Sequence, residues 1–149
     1  DDAMMRLALD EAFKASACDE VPIGAVLLAP NDEIWVKTHN LTITNNDPTA
    51  HAEILALRQA AHAIGNYRLT GATLYTTIEP CIMCMGALIH ARIGRVVFGA
   101  YDTKWGGCGS ICNLANDSRL NHCIEITGGV LEGECRSIIQ DFFAKKRAK

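Results

Sequence analysis

The chain has 149 residues, 49% of them hydrophobic, with a formal net charge of −3 and an isoelectric point near 5.9. This length fits one domain, residues 1–149, that buries its own core without disulfide staples. A mean hydropathy of +0.09 without any apolar run near ~20 residues excludes a membrane span, and the acidic balance excludes a globally basic nucleic-acid-binding protein.

The first half of the sequence predicts a helix, a strand hairpin and a second helix. Apolar residues from Met5 to Phe13 recur at helical spacing. An apolar strand over 23–29 reaches a Pro-Asn-Asp turn and returns over 33–38, which is typical of a β-hairpin with a short loop. A polar loop over 40–47 then leads to a capped helix over 52–64.

The second half alternates strands and helices. In chain order we expect a strand over 73–77, a helix over 81–92, a strand over 95–100, a glycine-rich loop over 106–109, a short apolar helical stretch, a strand over 124–127 and a last amphipathic helix from Leu131 through Phe142. This order predicts an α/β fold, a three-layer α/β/α sandwich in which a mixed five-stranded sheet carries helices on both faces.

Two short motifs supply metal ligands and a spare carboxylate. His51-Ala52-Glu53 lies thirty residues before Pro80-Cys81-Ile82-Met83-Cys84. One imidazole and two thiolates suit a tetrahedral Zn²⁺, and the fourth position stays open for water, which is typical of a catalytic site. Glu53 is close enough to move protons on and off that water.

The expected placement of these motifs supports the same interpretation. Pro80 favours a helix start, and Cys81 and Cys84, three residues apart, share one helix face. His51 is expected as a first-turn ligand, with the longer Glu53 side chain reaching toward the metal. The segment before Cys81 also ends a strand, where ligand sites of open α/β sheets cluster.

Each motif alone has a simpler explanation. A lone C-x-x-C could be a redox pair or half of a structural zinc site, and a lone histidine at a helix start is more often a satisfied polar residue. Their conjunction favours one catalytic zinc per chain. The other cysteines do not match a common zinc pattern, and the odd total of seven favours free thiols in a reducing compartment, the cytoplasm.

The two ends of the chain carry further signals. The N-terminus is acidic and helical in pattern, unlike a signal peptide, and position 1 is not Met, so we expect the natural chain to start earlier. Four cations lie in the last five residues, Lys145 to Lys149, directly after Phe142 and Phe143. Such a tail is either a solvated helix end or a set of phosphate contacts, and composition alone favours the first.

Longer stretches resemble the bacterial tRNA-specific adenosine deaminases over about residues 4–147. The motifs H-x-E and P-C-x-x-C by themselves fit zinc nucleobase deaminases in general. The segments that narrow the resemblance to the tRNA-acting branch are Asn66-Tyr67-Arg68-Leu69, Asn121-His122 and the Phe-Phe-basic terminus. The resemblance implies the cytidine deaminase-like fold, a homodimer, and conversion of adenosine to inosine at the wobble position of a tRNA anticodon stem-loop.

By the same resemblance, several residues would contact the RNA. Asn40 would hold the purine or its ribose, and the anticodon loop would be seated by Asp102, Lys104, Asn121, Phe142, Lys145 and Lys146. The chain departs from many relatives at Leu41, where an arginine is common, at Cys108, Cys112 and Cys123, and in having Trp105 in the loop that borders the substrate.

Two other functions remain open at this point. The same chemistry could act on a free base or nucleoside of the guanine or cytosine type, for which a basic tail is not needed. Alternatively, the chain could be a non-catalytic zinc- or RNA-binding partner subunit, although such proteins usually lose the carboxylate that Glu53 supplies. For the enzyme, we expect hydrolytic attack on C6 of an unpaired adenine, with Glu53 as base and then acid.

Overall fold

The structure, a computed structural model, describes residues 1–148 and contains four helices and five strands in that range. They are α1 (Asp2–Ala17), β1 (Gly24–Leu28), β2 (Ile34–His39), α2 (Ala52–Ile64), β3 (Thr73–Ile78), α3 (Ile82–His90), β4 (Arg95–Ala100), β5 (Glu125–Thr127) and α4 (Glu132–Arg147). None of these helices has the length and apolar character that crossing a lipid bilayer requires.

The strands form one mixed sheet in the order β2-β1-β3-β4-β5. β1 pairs antiparallel with both β2 and β3, whereas β3, β4 and β5 run parallel. α3 connects β3 to β4, and a long segment connects β4 to β5. Because β3 and β4 are parallel, their carboxyl ends lie at the same edge of the sheet. The predicted five-stranded mixed sheet is confirmed.

Side chains alternate between two buried layers, one on each face of the sheet. Ala25 and Leu27 of β1 pack with α2 and α3, and the intervening Val26 and Leu28 pack with α1 and α4. The inner strands β1 and β4 are buried on both faces, which explains their continuous apolar runs in the sequence. α1 approaches the sheet so closely that a Cβ at Gly24 would lie 1.9 Å from the carbonyl oxygen of Ala8.

Two expectations about the elements were wrong in detail. Residues 110–122 form no helix, because they fold back on the glycine-rich loop. Leu114 donates to the carbonyl of Gly107, and Cys108 and Asn113 form an isolated bridge. The cysteine helix is shorter than predicted, because Cys81 is extended and Arg92 has a φ of 63°. Cys81 instead pairs with Gly106 as an isolated β-bridge.

Candidate active site

The first ligand of each motif occupies the position immediately before a helix. His51 precedes α2 with φ −70° and ψ 151°, and Cys81 precedes α3 with φ −73° and ψ 172°. Both helices cover the same face of the sheet and contact each other. Because His51 is extended and not helical, its side chain and that of Glu53 can reach the same space although they are two residues apart.

Three donor atoms converge where α2 and α3 begin. His51 Nδ1 lies 3.5 Å from Cys84 Sγ and 3.7 Å from Cys81 Sγ, and all three donor atoms lie within 4.8 Å of one another. Zinc bonds of about 2.3 Å to sulfur and about 2.0–2.1 Å to nitrogen, at a tetrahedral angle, separate nitrogen from sulfur by about 3.6 Å. The three residues therefore fit a tetrahedral zinc ion.

The ionisation of the two thiols also favours binding of a cation. Hydrogen bonding to Cys84 and His51 lowers the pKa of Cys81 to about 4, although burial opposes this. The pKa of Cys84 is raised by the hydrogen bond to Cys81 and by burial. One thiolate thus opposes formation of the other, and a divalent cation between the sulfurs removes that opposition.

Glu53 is an almost fully buried carboxyl group beside the three donors. Burial raises its pKa to about 7, and this outweighs the lowering by its hydrogen bond with the backbone and by the charge of His51. It is absent from the set of side chains that can share one ion, His51, Cys81 and Cys84. A carboxyl group with a pKa near neutrality can both accept and donate a proton.

The cluster opens into a cleft of about 380 Å³. His51, Glu53 and Cys81 lie in its lining, and Cys84 is buried behind them. Apolar side chains also line the cleft, namely Ile23, Pro48, Ile78 and Met83. Asp102 and Trp105 of the loop after β4 complete the lining. An apolar cleft with a few polar groups at one end is typical of a site for a flat organic ligand.

Glu79, two residues before Cys81, is a buried carboxylate that organises one side of the cleft. It accepts the backbone N–H groups of Asp102, Cys108 and Ser110 at 3.0–3.1 Å, and it also accepts the Ser110 hydroxyl. These bonds fix the segment 102–110, hereafter the 102–110 loop. Sequence reasoning missed this role, for which the only local signal is a carboxylate at the end of an apolar strand.

Glu20 has the corresponding role for the loop before α2. It accepts the backbone N–H groups of Ile43 and Thr44 at 3.2 and 2.6 Å and the Thr44 hydroxyl at 2.6 Å. Burial by itself would raise the pKa of Glu20, but these hydrogen bonds lower it below 4.5. The hydrogen bonds to Glu20 therefore fix the loop that contains Leu41. This loop has no Lys or Arg between positions 41 and 47.

The other residues implicated by the resemblance lie in several places. Asn40 is buried, and its side-chain oxygen accepts the Ala52 N–H at 2.8 Å. Lys104 belongs to the 102–110 loop but is absent from the cleft lining. Asn121 lies by a separate surface depression, where it accepts Arg92.

The basic tail also lies apart from the cleft lining. Phe142, Lys145 and Lys146 border a depression shared with α1, where the Lys146 amine lies 2.7 Å from the carboxylate of Asp19 and 5.5 Å from the centre of the Phe142 ring. Lys149, the last cation of the tail, lies outside the described residues. Through Lys146 the tail therefore contacts Asp19 in the turn after α1, and the structure does not bring its cations into the cleft.

Comparison with known proteins agrees with this architecture. Residues 1–100 match the model of the cytidine and deoxycytidylate deaminase zinc-binding region. The chain is 51% identical over 147 residues to a tRNA-specific adenosine deaminase of Haemophilus influenzae, covering 99% of this chain and 85% of that protein. It is 48% identical to the protein of the same name from Bacillus subtilis, covering 100% of this chain and 92% of that protein.

A solved structure gives the same result in three dimensions. It comes from a study of A-to-I editing by tRNA:A34 deaminases at the wobble position of transfer RNA, and it superposes with a TM-score of 0.87 at 43% identity, covering 91% of this chain and 98% of that one. Both the expected family and the expected cytidine deaminase-like fold are confirmed. The chain belongs to the tRNA-specific adenosine deaminase family.

Proposed function

We propose that this chain hydrolyses adenosine to inosine and ammonia at the wobble position of a tRNA anticodon. The observation that carries the proposal is the His51, Cys81 and Cys84 cluster beside buried Glu53, at the inner end of an open cleft. Full-length relatives that bear the name tRNA-specific adenosine deaminase support the choice of substrate.

One zinc ion per chain is part of this proposal. His51 would bind it through Nδ1, and Cys81 and Cys84 through their sulfur atoms, as the donor spacing favours. Bound there, Zn²⁺ would supply a Lewis acid that lowers the pKa of water and so provides a nucleophile at neutral pH. Removal by a chelator should abolish deamination, and one equivalent of zinc should restore it.

Glu53 carries out the proton transfers. With a pKa near 7 in its buried position, it takes a proton from the attacking water and delivers protons to the ring nitrogen and to the departing amine. It ligates nothing in this scheme, so its loss should affect turnover and not binding. The new C6–O bond forms first, as the ring nitrogen is protonated, and the C6–N bond then breaks to release the protonated amine as ammonia.

The RNA contacts fall into a set near the cleft and a more distant set. An unpaired anticodon base can enter a pocket at low cost, whereas a base within a duplex must first be unstacked. Asn40 and Asp102 lie close to the reacting end, and Lys104 extends from the same loop as Asp102. We assign the more distant Lys145 and Lys146 to the stem and the outer part of the loop. Phe142 is buried under Lys146 and supports it, and Asn121 belongs to the depression described next.

A homodimer is also part of the proposal. Tyr67 is 71% exposed and, together with Leu120, borders a depression of about 390 Å³ that contains Ile89 and Leu114. Exposed apolar groups around one depression are typical of an interaction surface. We place a second copy of the chain there and expect Tyr67→Glu to shift the sedimentation coefficient toward that of the monomer.

A tRNA pool provides the direct test of the substrate. Zinc-loaded protein should convert one anticodon adenosine to inosine, which reverse transcription and sequencing report as an A-to-G change, and Glu53→Ala should give no such change. Parallel incubations with adenosine, guanine and cytosine measure ammonia release from free substrates. Ammonia release from a free base or nucleoside without editing of any tRNA would overturn the proposal.

The cellular location that we propose is the cytoplasm. Free thiols at all seven cysteines fit a cytoplasmic enzyme.

A further inference from the structure

Trp105 combines an exposed side chain with a firmly held backbone. Its side chain lines the cleft, yet the residue is 65% exposed. Within residues 1–148 its indole makes no hydrogen bond, ring contact or cation–π contact. What distinguishes Trp105 from other exposed apolar residues is that it lines the same cleft as His51 and Glu53, where an indole offers an apolar face to a ligand.

The backbone around Trp105 is fixed from both sides. The Trp105 N–H donates to the Asp102 carboxylate at 3.2 Å, and the next residue, Gly106, donates to the Asp102 carbonyl at 2.9 Å. Gly106 also pairs with Cys81 as an isolated bridge. A Cβ at Gly106 would lie 2.4 Å from the Glu79 carboxyl group, so only glycine fits between Trp105 and that anchor.

Glu79 connects this arrangement to the site. Its carboxylate accepts the Asp102 N–H at 3.1 Å, and Asp102 in turn accepts Trp105. The two carboxylates thus hold the backbone of Trp105 relative to Cys81, which is only two residues from Glu79 in the chain. Glu79 is therefore a positioning residue for Trp105, and the loop is organised before any substrate arrives.

We propose that Trp105 is a stacking platform for the base of the nucleotide next to the target adenosine. This inference rests on the proposed function, since it requires a substrate in which the reacting base belongs to a continuous strand. When the target base occupies the inner end of the cleft near His51 and Glu53, its neighbour lies at the mouth, where the indole is exposed. Stacking on an indole requires only a π-face and therefore suits any base.

The test measures kcat and KM for an anticodon stem-loop RNA. Trp105→Ala should raise KM about 5- to 100-fold and leave kcat at saturating RNA within about twofold. Trp105→Phe keeps a ring and should restore most of the affinity. Phe13→Ala is the matched control, because Phe13 is 60% exposed on α1, away from the cleft, and its loss should change neither constant.

Abasic RNAs then identify the stacked base. The stem-loop is prepared with an abasic site immediately 5′ or immediately 3′ of the target adenosine, and wild type and Trp105→Ala are compared on each. One of the two RNAs should abolish the difference between the proteins, since both partners of the stack are then removed. If the penalty of Trp105→Ala is the same on the intact RNA and both abasic RNAs, the stacking assignment is wrong.

Fluorescence separates this inference from the proposed function. Trp35 is the only other tryptophan, so the difference between Glu53→Ala and Glu53→Ala/Trp105→Phe isolates the emission of Trp105 in a protein that cannot turn over. Addition of the stem-loop should quench that emission, and the abasic RNA identified above should not. If wild type deaminates no RNA, the proposed function fails, and the quenching titration still decides whether Trp105 stacks on a base.

Discussion

The side-chain oxygen of Asn40 accepts the backbone N–H of Ala52 at 2.8 Å, although twelve residues separate them in the chain. The hydroxyl of Thr38 donates to the carbonyl of the same Ala52 at 2.7 Å. Two buried side chains thus hold the peptide that lies between His51 and Glu53. The strand and loop before α2 therefore set the direction of both functional groups.

The hydrogen bond to Ala52 allows a structural role of Asn40 to be separated from its proposed contact with the substrate. Asn40→Ala leaves the Ala52 N–H without its acceptor and should lower the free energy of unfolding by about 1–3 kcal/mol, in addition to any loss of activity. Asn40→Asp keeps an acceptor at a helix N-terminus, where negative charge is favourable, and removes the amide donors. It should keep the thermal stability and still raise KM for the RNA. Unchanged KM in Asn40→Asp would restrict Asn40 to a structural role.

Glu53 should be separable from the metal ligands. Glu53→Ala is expected to retain one zinc per chain and the affinity for tRNA, because the carboxylate is outside the donor cluster. Its kcat should fall by about 10²–10⁴-fold, as expected for loss of a general acid–base. Elemental analysis and an RNA-binding titration on the same preparation check this. Loss of zinc in this variant would make Glu53 a ligand and contradict its assigned role.

The motifs and most elements were predictable because they depend on local spacing. The helix over 52–64 and the strand over 95–100 match their predicted bounds, since apolar periodicity and flanking turn residues define both. The three metal-binding residues His51, Cys81 and Cys84 were identified from their spacing in the sequence. The extended backbone of Cys81, which puts the start of α3 at Ile82, required the structure.

The segments that surround the cleft could not be predicted, because their structure depends on contacts between residues far apart in the sequence. Residues 102–110 are held by Glu79, which lies 23–31 residues away from its partners Asp102, Cys108 and Ser110. Residues 110–122 contain enough apolar side chains to suggest a helix, but their hydrogen bonds go to the preceding loop. A carboxylate that serves distant N–H groups leaves no periodic signal in the sequence.

Glu20 should make the stability of the fold depend on acidity. Its pKa is lowered in the folded protein, so its contribution is complete above the unfolded value of 4.5 and is lost as the pH falls from there through the folded pKa. Glu20→Gln should therefore flatten the decline of the melting temperature below about pH 4.5. Thr44→Val removes one donor to this carboxylate and should have a smaller effect in the same direction. Parallel acid profiles for wild type and Glu20→Gln would contradict this.

The basic tail can be tested without disturbing its packing. Lys146 is paired with Asp19 and lies over the Phe142 ring, so its replacement would alter the contact between α4 and the turn after α1. Lys145 and Arg147 form no ion pair among residues 1–148 and are better probes of RNA contact. Lys145→Gln/Arg147→Gln should preserve the melting temperature while weakening RNA binding.

Salt dependence decides between phosphate contact and a solvated helix end. Each phosphate contact contributes about 0.7 to the slope of log affinity against log salt for a single strand. Loss of two contacts should therefore reduce the slope by about 1.4, while kcat at saturating RNA stays close to that of wild type because the zinc ligands and Glu53 are unaffected. Lys146→Gln, which breaks the pair with Asp19, is the control that reports the structural contribution through its melting temperature. If the double variant binds RNA with the wild-type slope, the tail only completes α4, and Lys145 makes no contact with the RNA.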